Sequence, residues 1–332
     1  MAVRGQENRE AAASWIDVPH HDTLRLSIAG RALERLLRLA ASAASPLRPI
    51  CDALLVQRRT YRAIGYKPNL RNPRTFNEKI AWRMLYDRNP LIPLTMDKVS
   101  VRNYVAAKVG SDVLVPLIGV YERSADIPWE ELPNQFALKA SHGSAMNLLV
   151  RDKKKIDRAA VLREADVWLK TNYYEHNREW GYRDIHPRLI IEELLLDENG
   201  EIPVDFKFHV FGGQAAVLQV HTGRFKEHRM NTYNASFNLM PFRQSFPIDE
   251  TYVLPPQVRE IARTAERIAE DFDYARIDMY LIGGMQKFGE ITHYDGAALN
   301  PFIPREYDLI LGDMWHLPKF SPRSDAVRLQ GI

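Results

Sequence analysis

The sequence predicts an α+β protein, and three observations support this class. Residues 275–282 and 286–292 alternate apolar and polar side chains on either side of a Gly283-Gly284 turn, which is the pattern of a β-hairpin. Residues 255–272 instead repeat their apolar side chains with helical spacing. The first 95 residues show helical patterns alone. We therefore expect a helical N-terminal region, followed by a larger part that combines helices with sheets.

The composition is that of a folded protein without a strong overall charge. The chain has 332 residues, of which 45% are hydrophobic, and its 45 Lys and Arg against 42 Asp and Glu give a formal net charge of +3. No global field therefore favours nucleic acid as a partner. The single cysteine, Cys51, excludes a disulfide framework and a cysteine-rich metal site. Because no apolar run is long enough for a signal peptide or a membrane span, we expect a cytoplasmic protein.

Helices are predicted throughout residues 23–95, after a polar segment, 1–22, that we expect to be disordered. Within residues 23–43, leucines fall on one side of a helix and arginines on the other; these arginines are Arg31, Arg35 and Arg38. Such a basic amphipathic helix fits a peripheral contact with the inner face of the membrane, and it equally fits packing on its own domain. A second basic helix follows Pro49. Thr75 and Glu78 have the spacing of a capping box that begins a third helix.

From residue 96 onward, helices alternate with strands, and the chain ends in a polar tail, 319–332. We expect helices from Met96 to Gly110 and at 157–170, 255–272 and 304–317. We expect strands at 113–121, 135–140, 148–150, 188–196, 204–211, 215–221, 275–282 and 286–292. Residues 224–245 show no regular pattern.

Asp278 and Glu290 are the first candidate functional residues. They lie on the two strands of the predicted hairpin, where the turn can bring both carboxylates to one cation. Mg²⁺ takes one or two protein carboxylates and completes its octahedral shell with phosphate oxygens and water. The pair is equally explained as solvent-facing strand charges. Without a cation, we expect the two anions to repel each other and to raise the pKa of one carboxyl group.

A short loop after a strand is the second candidate feature. Lys139 ends a predicted strand and is followed by Ser141, His142, Gly143 and Ser144, where backbone N–H groups can approach phosphate oxygens. Lys98, at the start of a helix, is a second candidate cation. Each lysine taken alone is equally explained as an ordinary charge, because the loop lacks the spacing of a P-loop.

The order of these features along residues 97–300 resembles the ATP-grasp superfamily. A lysine at a helix start, a lysine before a small-residue loop, an acidic apolar strand, two more strands and an Arg-x-Asp strand paired with a Glu-containing strand follow one another. The resemblance implies two α+β lobes, at 96–190 and 191–318, that hold ATP and Mg²⁺ between them. It implies phosphate binding by Lys98, Lys139 and the loop from Ser141 to Ala145, and metal binding by Asp278 and Glu290. It also implies an adenine hinge made by Glu192, Glu193, Leu194 and Leu195, and a ribose contact by Asp205.

Several longer phrases resemble one branch more narrowly, the TupA-like proteins linked to teichuronopeptide and other surface-polysaccharide biosynthesis. These phrases are NPRTFNEKIAW, LPNQFALKASHGS, KTNYYEHNREW, VDFKFHVFGG and REYDLILGDMWHLP. The branch covers nearly the whole chain from about Tyr66. It implies a bacterial enzyme of cell-surface polysaccharide biosynthesis that acts on a small-molecule or lipid-linked glycan.

The superfamily resemblance also implies a reaction. Its ligases pass the γ-phosphoryl group of ATP to a carboxylate and then let an amine displace phosphate, which implies an ADP-forming carboxylate–amine ligase. Lys139 and Arg276 would hold the developing charge, although Arg276 is equally explained as an ion-pair partner of Asp278. Gly296 would allow the backbone to approach a reacting oxygen. Thr292 stands where many such ligases have an Asn metal ligand, which leaves the number of metal ions open.

A basic stretch predicts where an acceptor would bind. Arg224, Lys226, His228 and Arg229 follow directly on a predicted strand, and they suit an anionic acceptor such as a uronate or a phospholipid-linked sugar. A solvated basic loop explains them equally. Two other functions stay open. One is a glycosyltransferase or an ATP-dependent sugar kinase acting on a cell-envelope glycan, and the other is a non-catalytic nucleotide-binding scaffold of a polysaccharide assembly complex.

Overall fold

The computed structural model describes residues 28–41, 46–223, 227–244 and 246–318. The expected disordered N-terminus and polar tail lie outside these residues. The helices are α1 (Ile28–Ala40), α2 (Arg48–Ile64), α3 (Phe76–Tyr86), α4 (Leu91–Met96), α5 (Ser100–Val109), α6 (Arg158–Lys170), α7 (Tyr174–Asn177), α8 (Val258–Ala269) and α9 (Glu306–Met314). The strands are β1 (Leu117–Tyr121), β2 (Phe136–Ala140), β3 (Asn147–Val150), β4 (Leu189–Glu192), β5 (Asp205–Phe211), β6 (Gln214–Thr222), β7 (Arg229–Asn234), β8 (Tyr274–Ile282) and β9 (Met285–Thr292). Among the described helices, none has the length and apolar character needed to cross a membrane.

The strands form two antiparallel sheets, which confirms the predicted α+β class. The first sheet has four strands in the order β1-β4-β2-β3, and the second has five in the order β7-β6-β5-β8-β9. The first sheet packs against α6, and Phe136 and Leu138 of β2 contribute to this core together with Ala165 and Trp168 of the helix. We call the first sheet with α6 the first unit, and the second sheet with the helices that pack on it the second unit. Along the chain, the segment that joins β4 to β5 separates the strands of the two units.

One face of the second sheet is covered by α5 and α8. Phe206 and Phe208 of β5 share an apolar core with Val105 of α5 and with Ile261 and Ile268 of α8. Because side chains alternate along a strand, Asp205, Lys207 and Phe211 project from the opposite face. The alternation in 204–211 thus separates a buried core from a second surface.

The opposite face of this sheet is covered at one end only. There α3 and α9 pack on it, and Phe76 of α3 meets the rings of Phe211, Tyr274 and Trp315 edge-on or tilted. Thr75 begins α3 with the predicted capping box, because its side chain accepts a hydrogen bond from the Glu78 N–H. The sequence-predicted helical region therefore supplies a layer of the second unit, in addition to the α1–α2 pair.

The structure corrects several predicted boundaries. Helix α5, placed in the first lobe by the resemblance, packs on the second sheet. Strand β4 belongs to the first sheet as far as Glu192, so the chain passes between sheets after this residue rather than after residue 190. Strand β7 lies within 224–245, a stretch for which we predicted no regular structure, because the polar side chains of an edge strand hide its alternation.

Candidate active site

A cleft between the two sheets brings most of the predicted site residues together. From the first unit it is lined by Lys139, Gly143, Ser144, Ala145, Glu192 and the segment Glu193, Leu194 and Leu195. From the second it is lined by Asp205, Lys207, Asp278, Tyr280 and Glu290, and Lys98 joins them from the chain before α5. Apolar side chains complete the wall, namely Val115, Ala137, Leu149, Ile202, Phe288 and Ile291. Such a mixture of apolar walls and converging charges is typical of a small-molecule site.

The two predicted metal ligands are direct neighbours on β8 and β9. Asp278 and Glu290 are paired in register across the two strands, as the hairpin predicted. They differ in environment, because the side chain of Asp278 is 3% exposed and that of Glu290 is 41% exposed. The interpretation of both as solvent-facing charges is therefore wrong for Asp278.

Arg276 lies at the centre of the acidic cluster. Its Nε and Nη2 donate to the two carboxylate oxygens of Asp278, at 2.7 and 2.8 Å, Nη2 also donates to Glu290, and Nη1 donates to Asp295. Four of the five guanidinium N–H groups thus donate to carboxylates. The predicted ion pair with Asp278 is present, and it extends to two further carboxylates.

Lys207 is a functional candidate that the sequence reasoning missed. Its amino group forms ion pairs with Asp278 and, at 3.0 Å, with Asp205. The alternation in VDFKF was a usable signal, because it puts Lys207 on the same face as Asp205. Burial raises the pKa of Asp278, but Arg276 and Lys207 outweigh this effect, and the pKa lies below its usual value. Our prediction of a raised carboxyl pKa in the metal-free pair is wrong for Asp278, since these cations remove the repulsion.

The donor set of this cluster fits Mg²⁺. Asp278 has about four acceptor sites, and Arg276 and Lys207 occupy three of them, which leaves one on Oδ1. Glu290 accepts from Arg276 and Thr292 through Oε1, and no donor among the described residues reaches Oε2. No group of three or more His, Cys, Asp or Glu in the described chain can hold a metal unaided. A protein usually contributes one or two carboxylates to a Mg²⁺ site, and phosphate oxygens and water complete the coordination shell.

The two predicted phosphate lysines reach the cleft from different directions. Lys139 projects from β2 and pairs with Glu192 at 2.8 Å, and Arg102 of α5 binds the other oxygen of the same carboxylate. Lys98 donates through its amino group to the carbonyl of Gly143. Burial lowers the pKa of Lys98, Glu290 raises it, and Lys139 lowers it again. The two ammonium groups therefore lie close enough to affect each other, as cations that share one polyphosphate would.

Only part of the predicted loop faces the cleft. Gly143, Ser144 and Ala145 line it, and Ala145 has a left-handed backbone with φ of 58°. Ser141 instead forms backbone hydrogen bonds with Arg188 and Lys98, and the His142 ring contacts the carbonyl of Trp168. The side chains of Ser141 and His142 are buried inside the first unit. The structure thus narrows the predicted phosphate loop to its second half.

The predicted hinge contains two kinds of residue. Glu192 ends β4, and its carboxylate binds Lys139 and Arg102, while the N–H of Glu193 donates to the carbonyl of Pro116. Leu194 and Leu195 follow as irregular chain, and among the described residues their backbone groups have no backbone partner. These two residues have the free donors and acceptors that reading of a base edge requires.

An aromatic segment, residues 173–182, lies beside the loop. Tyr182 lines the cleft, and the Tyr173 ring packs against Gly143 so closely that a Cβ there would lie 2.8 Å from it. Glu179, in the same segment, is buried, and desolvation raises its pKa to about 7, with a further increase from the charge of Glu290. The aromatic density of this segment is typical of sugar-stacking sites and is equally explained by core packing, whereas no pattern singles out Glu179.

The structure does not bring the remaining predicted residues to the cleft. Gly296 is left-handed with φ of 55°, and a Cβ there would meet the Asn300 side chain at 2.2 Å, so local packing explains the glycine without a reacting oxygen. His228 contacts His221 and stacks on Phe246, and Arg229 pairs with Glu227 in its own loop. Arg224 and Lys226 lie outside the described residues.

Comparison with known proteins places these features in a family. The family model described as TupA-like ATPgrasp matches residues 78–316. A search of proteins with curated descriptions found no match. Similar solved structures include D-alanine–D-alanine ligase from Bacillus anthracis complexed with ATP, at 12% identity over 68% of this chain and 68% of that chain, with a TM-score of 0.37. They also include the ATP-grasp ligase PsnB with a phosphomimetic variant of a minimal precursor, Mg and ADP, at 12% identity over 68% and 61%, with a TM-score of 0.37.

A third similar structure is D-alanine–D-alanine ligase from Helicobacter pylori, at 14% identity over 69% of this chain and 60% of that chain, with a TM-score of 0.38. The chain thus spans less than two thirds of the length of PsnB and of this ligase. The match to the family model covers most of the present sequence, from α3 to the residue just beyond Trp315. On that match, the chain belongs to the TupA-like ATP-grasp family.

Proposed function

We propose that this protein is an ATP-dependent carboxylate–amine ligase of bacterial cell-surface polysaccharide biosynthesis. It would activate a carboxylate, such as a uronic acid or an amino acid, as an acylphosphate and join it to an amine with release of ADP. The observation that carries the proposal is the opposition of charges across one cleft. Lys98 and Lys139 face the Asp278 and Glu290 pair, with apolar walls on either side.

This arrangement supports binding of ATP with its phosphates at the centre of the cleft. Lys98 and Lys139 supply positive charge, and the backbone of the loop at Gly143 and Ser144 supplies donors. The backbone of Leu194 and Leu195 is available for the adenine edge, between apolar side chains. Asp205 is expected at the ribose, where its carboxylate is held by Lys207. Mg²⁺ would be held by Asp278 and Glu290, where it would neutralise charge on the phosphates.

The residues of this chain contribute by positioning groups and by balancing charge. Transfer of a phosphoryl group needs little covalent help from a protein, so the fixed geometry of the cleft is the main requirement. Arg276 holds the carboxylates of Asp278 and Glu290 in place through three hydrogen bonds and that of Asp295 through a fourth. Tyr173 and Tyr182 pack beside the loop and exclude water from that side of the cleft.

The test is turnover of ATP by the purified protein with Mg²⁺, against a panel of uronic acids combined with amino acids, with ADP, AMP and products separated. A ligase turns over ATP to ADP repeatedly only when carboxylate and amine are both present, because the acylphosphate must react with the amine before a second ATP can be used. A kinase acting on a sugar forms ADP and a phosphosugar without the amine, and a scaffold forms no product. Glu290→Gln should lower turnover by about a hundredfold or more, whereas Glu198→Gln, at an exposed turn, should not change it. Equal turnover in both variants would contradict the proposal.

A further inference from the structure

The two N-terminal helices form an antiparallel pair on the side of the molecule. Glu34 in the middle of α1 pairs with Arg62 near the end of α2, while Leu37 near the end of α1 packs with Cys51 and Leu55 in the first half of α2. The buried core of this pair is small. Of its buried apolar residues in the described chain, only Ala41, Cys51 and Leu55 belong to it. Most of the large apolar side chains of the pair therefore remain outside any core.

Five of these side chains form what we call the α1–α2 surface: Leu36 and Leu39 of α1, Leu47 at the start of α2, and Ile50 and Leu54 of α2. Their exposed fractions are 63%, 73%, 53%, 60% and 42%. At about 100° per residue, the exposed residues of each helix lie roughly 60–170° around the helix axis from the residues that contact the other helix. The direction of this rotation is the same on both helices. In an antiparallel pair this common rotation puts them on one side, so the five residues face solvent together.

The exposed apolar residues are concentrated in this part of the molecule. Residues 28–71 contain seven of the seventeen large hydrophobic residues that are exposed in the described chain, the five above together with Leu33 and Tyr61. Single exposed apolar residues are normal, but a group of this kind marks a contact with another molecule or a membrane. Among the described residues Leu36 and Leu39 are exposed, whereas Leu37 of the same helix packs on α2, so the protein itself covers only part of the apolar side predicted for this helix.

Charge indicates which of these contacts fits. Residues 28–71 hold nine Lys and Arg against two Asp and Glu, a formal charge of +7. The whole chain has +3, so the remainder carries −4. Arg31, Arg35, Lys67 and Arg71 are exposed around the helices. A strong positive charge confined to the element that also exposes leucines is complementary to an anionic lipid surface, which offers negative headgroups above an apolar layer.

We propose that the α1–α2 surface binds anionic membranes. Its five apolar side chains would insert at the level of the headgroups, and the exposed basic residues of the same helices and of the segment that follows them would lie near the lipid phosphates. Helices of 13 and 17 residues lying in the plane of the interface suit this mode. The proposal does not depend on the reaction that the cleft performs. It explains a feature that neither nucleotide binding nor the stability of the fold requires.

The same pair is linked to the segment beside the cleft. Arg38 of α1 donates to the carbonyl of Glu175, and Arg178 pairs with Asp52 of α2. The segment 173–182 thus contacts both the α1–α2 helix pair and the loop at Gly143. Docking at the membrane would therefore hold the cleft close to the interface.

The experiment measures binding of the full chain to vesicles of phosphatidylcholine with and without phosphatidylglycerol, at low and high salt. Binding should require phosphatidylglycerol and should weaken as salt screens the charges. Leu36→Glu and Ile50→Glu should each weaken binding by about tenfold or more, because each places an acid where an apolar group would be inserted. Arg35→Gln should weaken it by about fivefold. The matched control is Val167→Glu on α6, whose exposed fraction of 63% equals that of Leu36.

The outcomes separate the possible occupants of this surface. Loss of binding in Leu36→Glu but not in Val167→Glu supports the proposal, provided that circular dichroism shows both variants folded. Equal binding to neutral and anionic vesicles, equal loss in both variants, or no binding at low salt overturns it. The oligomeric state is measured in parallel by analytical ultracentrifugation. A dimer that Leu36→Glu dissociates would assign the surface to a second copy and overturn the membrane proposal.

Discussion

The two ends of one face of the second sheet have the same backbone pattern and opposite chemistry. At one end, Phe211 and Tyr274 pack under Phe76 and Trp315. At the other end of the same strands, Lys207 and Asp278 form ion pairs in the cleft. Strands β5 and β8 run through both ends, so strand alternation cannot account for the difference. The difference depends on what covers the sheet. Helices α3 and α9 cover the aromatic end, which we call the sealed end, whereas the charged end, which we call the open end, faces only the cleft and the first unit.

This contrast shows how the fold separates stability from chemistry. Burial of aromatic rings at the sealed end stabilises the sheet and the register of β5 with β8. That register then fixes Lys207 opposite Asp278 and Asp278 opposite Glu290. Substitutions at the sealed end should therefore change stability more than ligand binding, and those at the open end should do the reverse, except where a buried charge loses its partner.

The largest effect on stability is expected at the sealed end. Phe76→Ala should lower the free energy of unfolding by about 4 kcal/mol, because it leaves a cavity among the rings of Phe211, Tyr274 and Trp315. Urea denaturation measures this change. Tyr86→Ala, at an exposed position of the same helix, is the control and should change it by less than about 1 kcal/mol. A similar cost for both variants would mean that α3 does not seal the sheet.

The second prediction separates the two carboxylates of the open end. Asp278→Asn should lower the free energy of unfolding by about 3 kcal/mol, since it removes the buried partner of Arg276 and Lys207. Glu290→Gln should lower it by less than about 1 kcal/mol, because this side chain is partly in solvent. Two carboxylates that only repelled each other would instead lose little stability when either charge was removed. Equal costs in urea denaturation would show that Asp278 is not the buried partner.

The third prediction concerns the effect of ligand on stability. Saturation with Mg·ATP at a hundredfold excess over Kd should raise the free energy of unfolding by about 2.7 kcal/mol. Lys139→Ala should remove most of this increase while leaving the fold intact, since Lys139 pairs with a carboxylate that Arg102 also binds. Thermal unfolding with and without the nucleotide measures it. Lys170→Ala, at the end of α6 and away from the cleft lining, is the control. An unchanged increase in Lys139→Ala would contradict the assignment of this lysine.

The smallest expected effect concerns Glu179, a buried carboxylate beside the open end that has no ion-pair partner among the described residues. Burial raises its pKa from 4.5 to about 7, so the folded chain keeps a proton that the unfolded chain has lost. Stability should therefore fall as pH rises from about 4.5 to about 7. Glu179→Gln should remove this loss and stabilise the protein by about 2 kcal/mol at pH 8, but not at pH 4.

Urea denaturation of wild type, Glu179→Gln and the exposed control Glu198→Gln at both pH values tests this. The control should show no difference between the two conditions. A destabilised Glu179→Gln variant at pH 8 would mean that the buried carboxylate is held in its charged form.

Some of the site could be predicted because it depends on local patterns. The hairpin with Gly283-Gly284 fixes Asp278 opposite Glu290, and the alternation in VDFKF fixes the face of Asp205. Lys139 before a small-residue loop is equally local. Gly296 was misinterpreted because the same residue type serves a tight packing contact with Asn300. Glu179 could not be found, because no local rule links an irregular segment before β4 to a cleft formed by strands later in the chain.

The sequence by itself predicted the α+β class, the strands and helices of most segments, the carboxylate pair and the two lysines, Lys98 and Lys139, that oppose it. Periodicity and turn residues carry this information, because they act within a few residues of chain. Only the tertiary structure decided that α3 and α5 complete the second unit, that Arg276 and Lys207 neutralise Asp278, and that the leucines of α1 and α2 remain exposed. These outcomes depend on contacts between distant residues, whose pairing is set by how the layers pack.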